Sequence, residues 1–220
     1  MIAERLAEVR RRMAEAAERV GRDPGEVQLV AVSKRQPEAH LEAAYAAGQR
    51  VFGENRVQEL VARTAVLPDD VEWHMVGHLQ RNKAKVVAEV AAALHSLDSE
   101  RLAEAWARTG SVAPVHVQVN LADEPQKGGV APGGLGALLD RCAALTIPVV
   151  GLMVLPPFDP DPEATRPWFR RLRELRDTVR EQHPTVGGLS MGMSADFEVA
   201  IEEGSTAIRV GTTIFGTRLG

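Results

Sequence analysis

The amino-acid sequence predicts an α/β fold: a single-domain (β/α)₈, TIM-like barrel over residues 1–220, with an additional N-terminal helix. Three observations carry this. Short apolar segments alternate with helical ones eight times, the number of βα units that closes such a barrel. The connections between them are short, as compact βα units require. The length of 220 residues also falls within the roughly 200–250 that an α/β barrel uses as one domain. A doubly wound open sheet is the competing arrangement. Its dinucleotide-binding form is weakened because the first strand–turn–helix carries no G-x-G-x-x-G.

Residues 1–20, MIAERLAEVRRRMAEAAERV, read as a charged amphipathic helix with Ile2, Leu6, Val9, Met13, Ala16 and Val20 on one stripe. The helix is expected either to pack against the barrel or to plug it. It lacks the apolar core of a signal peptide, and its four glutamates argue against a transit peptide. The first strand is VQLVAVSK, 27–34, nearly all apolar at its centre, as a parallel strand covered on both faces should be. Pro37 opens a helix that Gly48 stops. Strand 50–53 precedes helix 53–64, strand 71–77 precedes helix 79–90, and strand 92–97 precedes helix 100–109, which Asp98 or Ser99 can cap. Strand 114–121 is followed by helix 134–145, and strand 148–155 by helix 166–182. Between the last two lies a Pro- and Asp-rich loop, 156–167, suited to the surface beside a strand end. Strand 186–192, a helix starting at Ser194, strand 206–211 and a short last helix complete the eight units.

Composition narrows the function. A formal net charge of −4 gives no electrostatic footprint for a nucleic-acid binder. No run of about 18 apolar residues is present to span a membrane. One cysteine, Cys142, allows neither an internal disulfide nor a zinc knuckle, which suits a cytoplasmic protein.

In a barrel of this kind the chemistry sits at the C-terminal strand ends. The first strand ends in Ser33 and Lys34. A lysine closing an apolar strand either snorkels at the rim or sits as a desolvated amine, able to form a Schiff base with an aldehyde. Asn55 follows the second strand. His74, His78 and His95 fall at the third and fourth, but not at the H-E-x-x-H spacing of a metal site, so they read as packing or polar lining and no metal is expected. In the EPQKGG loop after the fifth strand a local ion pair is expected. SMGMSAD and IRVGTTIFG follow the course of the seventh and eighth strands, bringing Met193, Ser194, Arg209, Gly211 and Thr212 to the loops where barrels often hold phosphate. There, unpaired amides and hydroxyls can donate to the phosphate oxygens. Strands one and eight become neighbours when the barrel closes, so Lys34 would face that cradle. Lysine plus phosphate donors implies a phosphorylated aldehyde, with pyridoxal 5′-phosphate the first choice. A class I aldolase acting on a sugar phosphate is the other reading. It needs an acid or base beside the lysine, and the only tyrosine, Tyr45, lies mid-helix on the outer ring.

At this point the chain resembles the YggS/PROSC-type pyridoxal phosphate homeostasis proteins, whose fold is similar to the N-terminal barrel of alanine racemase. The resemblance rests on AVSK (31–34), FGENRVQE (52–59), WHMVGHLQRNK (73–83), HSLDS (95–99), QVNLADEPQKGG (118–129), GLM (151–153), LSMGMSADFEVAI (189–201) and IRVGTTIFG (208–216), with TR completing IFGTR. It implies that Lys34 carries the cofactor as an internal aldimine and that Ser194, Gly211 and Thr212 contact phosphate. It also implies that Arg209 lies near the pyridine nitrogen, where an arginine would leave a weaker electron sink than an aspartate. Asn55, His78, Ser96 and Met193 would line the same mouth, without catalytic roles. Many relatives have SKT where this chain has Arg35, which is expected to touch phosphate or solvent.

The implied function is reversible storage of pyridoxal 5′-phosphate and a part in intracellular cofactor homeostasis, without established catalysis. PLP-dependent apo-enzymes are the candidate recipients, and the protein is expected to be a monomer or weak dimer. The alternative is a PLP-dependent racemase or lyase acting on a small amino acid. Full alanine racemases carry a second domain with a catalytic tyrosine, and no such segment is expected after the eighth strand here. Racemisation also needs acid–base groups on both faces of the imine.

Overall fold

The apolar runs of the sequence become eight parallel strands. The computed structural model describes residues 1–124 and 127–216, and within them β1 (Gln28–Val32), β2 (Val51–Glu54), β3 (Glu72–Met75), β4 (Ala93–Leu97), β5 (Val115–Gln118), β6 (Val149–Met153), β7 (Gly188–Met193) and β8 (Ala207–Val210) form a closed barrel in chain order. Closure comes from β8 against β1, with Gln28 opposite Ala207 and Ala31 opposite Val210. This (β/α)₈ arrangement excludes the open sheet. The outer layer is α2 (Glu38–Ala46), α3 (Val57–Arg63), α4 (Ala84–Ala88), α5 (Glu100–Ala107), α6 (Leu135–Ala144), α7 (Arg166–Val179), α8 (Phe197–Glu202) and α9 (Thr212–Phe215), preceded by α1 (Ile2–Arg19). Among the described residues no helix is long and apolar enough to cross a membrane. Pro125, Gln126, Thr217 and Arg218, quoted above in EPQKGG and IFGTR, lie outside the described residues.

Six of the eight strands lie inside the segments expected for them, while β2 and β7 each run one residue further, to Glu54 and Met193; the helix starts differ more. The second βα helix begins at Val57, not at residue 53, because Gly53 and Glu54 still pair with His74 and Met75 of β3. The third is broken: a 3-10 turn at Arg81–Lys83, closed by Lys83 N–H on the Gln80 carbonyl, precedes only five α-helical residues. The seventh, α8, begins at Phe197, so Ser194 does not start it.

The N-terminal helix does not plug the barrel. It packs outside, on α8, α9 and α2, covering the flank that the short last two helices leave. Ile2, Leu6, Val9, Met13, Ala16 and Ala17 are buried there. Val20 leaves the expected stripe because the helix ends at Arg19 and Val20 occupies the C-cap, outside helical geometry and exposed. Arg12 fixes the docking from the polar side. It gives two N–H bonds to the Glu198 carboxylate, at 3.1 and 2.7 Å, and lies 4.8 Å over the Phe197 ring.

Strand alternation splits the side chains into two sets. One set points out to the helices and forms the main core, with Leu29, Ala31, Phe52, Trp73, Met75, Leu94, Val117 and Leu152 among it. The other fills the barrel. Near β1–β3 the filling is a separate apolar cluster of Val30, Val32 and Val76 against Val51. Elsewhere it is polar: His74, His95, His116, Ser190 and Arg209 are all buried. Gly151 makes room for this set, since a Cβ there would come within 2.8 Å of the His116 ring.

Candidate active site and cofactor cavity

A cavity of about 570 Å³ opens at the C-terminal strand ends. Lys34, Asn55, Met193, Ser194, Arg209, Gly211 and Thr212 all line it, so the seven site residues expected from sequence are brought together. Val32, Val76 and Leu155 supply apolar wall, and His78, Gln118, Lys127, Gly128 and Phe158 complete much of the rim.

Lys34 follows β1 directly and is half-buried. By alternation Ser33 faces outward and Lys34 inward. The turn carrying the lysine is held by three separate bonds. Ser33 Oγ–H donates to Glu54 Oε1 at 2.6 Å, the Arg35 N–H donates to Glu59 Oε2 at 3.1 Å, and the Arg63 guanidinium donates to the Gln36 carbonyl at 2.5 Å. Arg35 has φ of 57°, a left-handed conformation that reverses the chain immediately after the lysine. Arg35 is exposed, so of the two contacts expected for its side chain the structure gives solvent. Glu54 is fully buried, and its Oε2 has no hydrogen-bond partner. Burial pushes its carboxyl up to about 7, against the opposing effect of the Ser33 bond; Glu59 adds to the rise.

The loops after β7 and β8 are joined through one side chain. Ser194 Oγ accepts the N–H of Gly211 at 3.1 Å and that of Thr213 at 3.4 Å, while the Thr213 hydroxyl donates to the Ser194 carbonyl at 3.3 Å. Ser194 therefore sits at the start of α9. Its own hydroxyl proton remains to donate. Gly211 lets the backbone come close to β1: a Cβ there would lie 3.0 Å from the Val32 carbonyl. Asp196, not Ser194, stands before α8, and its carboxylate accepts the Met193 N–H at 2.7 Å.

Arg209 is buried at the floor. It donates through Nη1 to Ser190 Oγ at 2.5 Å and through Nη2 to the Val154 carbonyl at 2.9 Å. Burial lowers its pKa to about 10, with the Asp196 charge opposing, so it remains a cation at neutral pH. Below it His95 lies between His74 and His116. Its Nε2 is 3.0 Å from His74 Nδ1, and its ring stacks on His116 at 4.5 Å between centroids. Burial pushes His74 down to about 4 and His116 to about 3, so both are neutral.

Some expectations change. Ser96 is fully buried and donates to the Gly77 carbonyl at 2.6 Å, below the mouth rather than lining it. His78 does reach the cavity and meets Asp98 at 3.2 Å. The expected loop ion pair forms between Lys127 and Glu124, at 2.5 Å, and Lys127 also donates to the Pro156 carbonyl. Sequence reading missed Ser190 and His116. A signal existed: His74, His95 and His116 recur every 21 residues, one per βα unit, at matching inward positions.

Residues 5–219 match the family model described as the alanine racemase N-terminal domain. The pyridoxal phosphate homeostasis protein of Aquifex aeolicus is 44% identical over 98% of this chain and 97% of its own length. The chain belongs to the pyridoxal phosphate homeostasis protein family. The Escherichia coli member is 39% identical over 99% of this chain and 97% of its own length. PipY of Synechococcus elongatus, solved with PLP bound, superposes with a TM-score of 0.86 at 41% identity, covering 98% of this chain and 100% of that one. The lysine/ornithine decarboxylase of Vibrio vulnificus shares only the fold with this homeostasis-family chain, at TM-score 0.72 and 14% identity over 97% of this chain and 61% of its own.

Proposed function

We propose that residues 1–220 act as one barrel that binds pyridoxal 5′-phosphate reversibly and serves cofactor homeostasis as a carrier rather than a catalyst. The observation that carries this reading is that Lys34, Ser194, Gly211 and Thr212 share one cavity. The residues present fit the cofactor. The Ser194 proton and the backbone brought close by Gly211 suit a phosphate, and the apolar wall of Val32 and Val76 suits a ring. Bound there, pyridoxal 5′-phosphate supplies an aldehyde that an amine captures reversibly.

The chain's own residues divide the work. Lys34 presents the amine, and the bonds accepted by Glu54 and Glu59 and donated by Arg63 hold its turn. Ser194, Gly211 and Thr212 bind phosphate, Asn55 and Met193 border the ring, and Arg209 keeps a cation at the floor. The only tyrosine favours carriage over racemisation: the Tyr45 hydroxyl donates to Asp70 on the outer layer. The relatives named as homeostasis proteins support the same reading. We place the protein in the cytoplasm, as a monomer or weak dimer with PLP-dependent apo-enzymes as recipients; its single thiol, Cys142, is buried and raised to about 11 by that burial.

Borohydride reduction in the presence of PLP, followed by peptide mass mapping, tests this. The adduct is expected on Lys34 and absent from Lys34→Ala. Lys34-dependent inversion or loss of a free amino acid would instead establish the racemase or lyase.

A further inference from the structure

We propose that Ser190, His95 and His74 form a hydrogen-bond chain of fixed direction that holds the Arg209 guanidinium in place beneath the cofactor. Ser190 and His95 are thereby positioning residues. The inference rests on the proposed reading of the cavity, because Arg209 matters to the cofactor only if the cofactor binds there.

The direction follows from which groups can donate. A guanidinium only donates. Arg209 Nη1 gives its proton to Ser190 Oγ, 2.5 Å away. Ser190 is fully buried, and the remaining partner of its Oγ is His95 Nδ1 at 2.8 Å. If His95 donated across this contact, the proton of this fully buried serine would be left without an acceptor, which buried hydroxyls avoid. Ser190 therefore donates and His95 Nδ1 accepts. The His95 proton then lies on Nε2 and goes to His74 Nδ1 at 3.0 Å. That leaves the His74 proton on Nε2, the nitrogen 3.8 Å from the exposed Glu72 carboxylate. Every link runs the same way, from the cation at the cavity floor towards the opposite end of the barrel.

The chain and the cation support each other. A protonated His95 would point a second N–H at Ser190 and bring a like charge towards Arg209. Burial independently holds His95 well below its usual range, with the Arg209 charge adding to the effect. His116 is not a link; it stacks on His95 and fixes the ring plane. Arg209, anchored on Ser190 and Val154, keeps its other N–H groups for the cavity it lines.

Three measurements on the full chain separate the possible outcomes. Long-range ¹H–¹⁵N spectra of the ¹⁵N-labelled protein at pH 7 are expected to show His74 and His95 neutral, each with its proton on Nε2. A cationic His95, or a proton on its Nδ1, would overturn the proposal without any variant being made. Ser190→Ala is expected to trap PLP on Lys34 as before, to release it roughly tenfold faster, and to shift the pH midpoint of the visible absorption band. His95→Asn keeps an acceptor facing Ser190, and release is expected to stay near the wild-type rate. Unchanged release and an unchanged midpoint in Ser190→Ala would refute the positioning role. If the wild-type protein traps no PLP on Lys34, the reading of the cavity fails, and with it any role under a cofactor; the ¹⁵N spectra would still report the direction of the chain.

Discussion

Glu54 is a buried acid bonded to Ser33, the residue before Lys34, and its titration couples stability to pH. In the unfolded chain the carboxyl titrates near 4.5, and in the fold near 7. Between these values the folded state holds more proton than the unfolded one, so stability falls as pH rises through the window, by on the order of 2–3 kcal/mol. Glu54→Gln keeps an oxygen for Ser33 and removes the charge. The variant is expected to be more stable than wild type at pH 8 and to lose the slope between about pH 5 and 7, read from urea midpoints. Arg35 gives a second prediction at this scale. Its φ of 57° costs a side chain about 1 kcal/mol, so Arg35→Gly is expected to be neutral to slightly stabilising, with adduct formation on Lys34 intact. That the seven expected residues share one cavity was legible because each lies at or just past the C-terminal end of a strand, where a barrel concentrates chemistry. Ser190 was not, because a polar residue inside an apolar strand has no local sign of its partner, and His116 shows only as the third histidine of a 21-residue spacing. Ser190 meets His95 across the barrel, 95 residues away in the chain.

At the scale of elements, the strands were the most legible because burial on both faces enforces an apolar run. The helices were legible in order but less so at their starts. Strand pairing carried Gly53 and Glu54 into β2, and a capping serine was read as the start of α8 when Ser194 in fact accepts amides from α9. The contribution of α1 was legible as an amphipathic stripe, but its place was not, since packing outside and plugging the barrel demand the same pattern. Leu6 is fully buried in that seam. Leu6→Ala is expected to cost about 2–5 kcal/mol in chemical denaturation. Because α1 lies outside the barrel, PLP trapping by the folded variant is expected to persist; loss of trapping with the fold retained would mean that α1 supports the mouth directly.

For the whole molecule, closure of β8 on β1 brings an amine from one end of the sequence to donors from the other. The same closure gives the barrel an interior that is apolar beside Lys34 and polar beneath Arg209. That arrangement suits holding and releasing a phosphorylated aldehyde, since it sets Lys34 and Ser194 in one cavity with the Arg209 cation. The most direct test of this claim is borohydride reduction of the PLP-treated protein with peptide mass mapping. The account predicts one dominant adduct, on Lys34, lost in Lys34→Ala and formed without Lys34-dependent change in free amino acids. A reduced adduct confined to other lysines, or none at all, would contradict it.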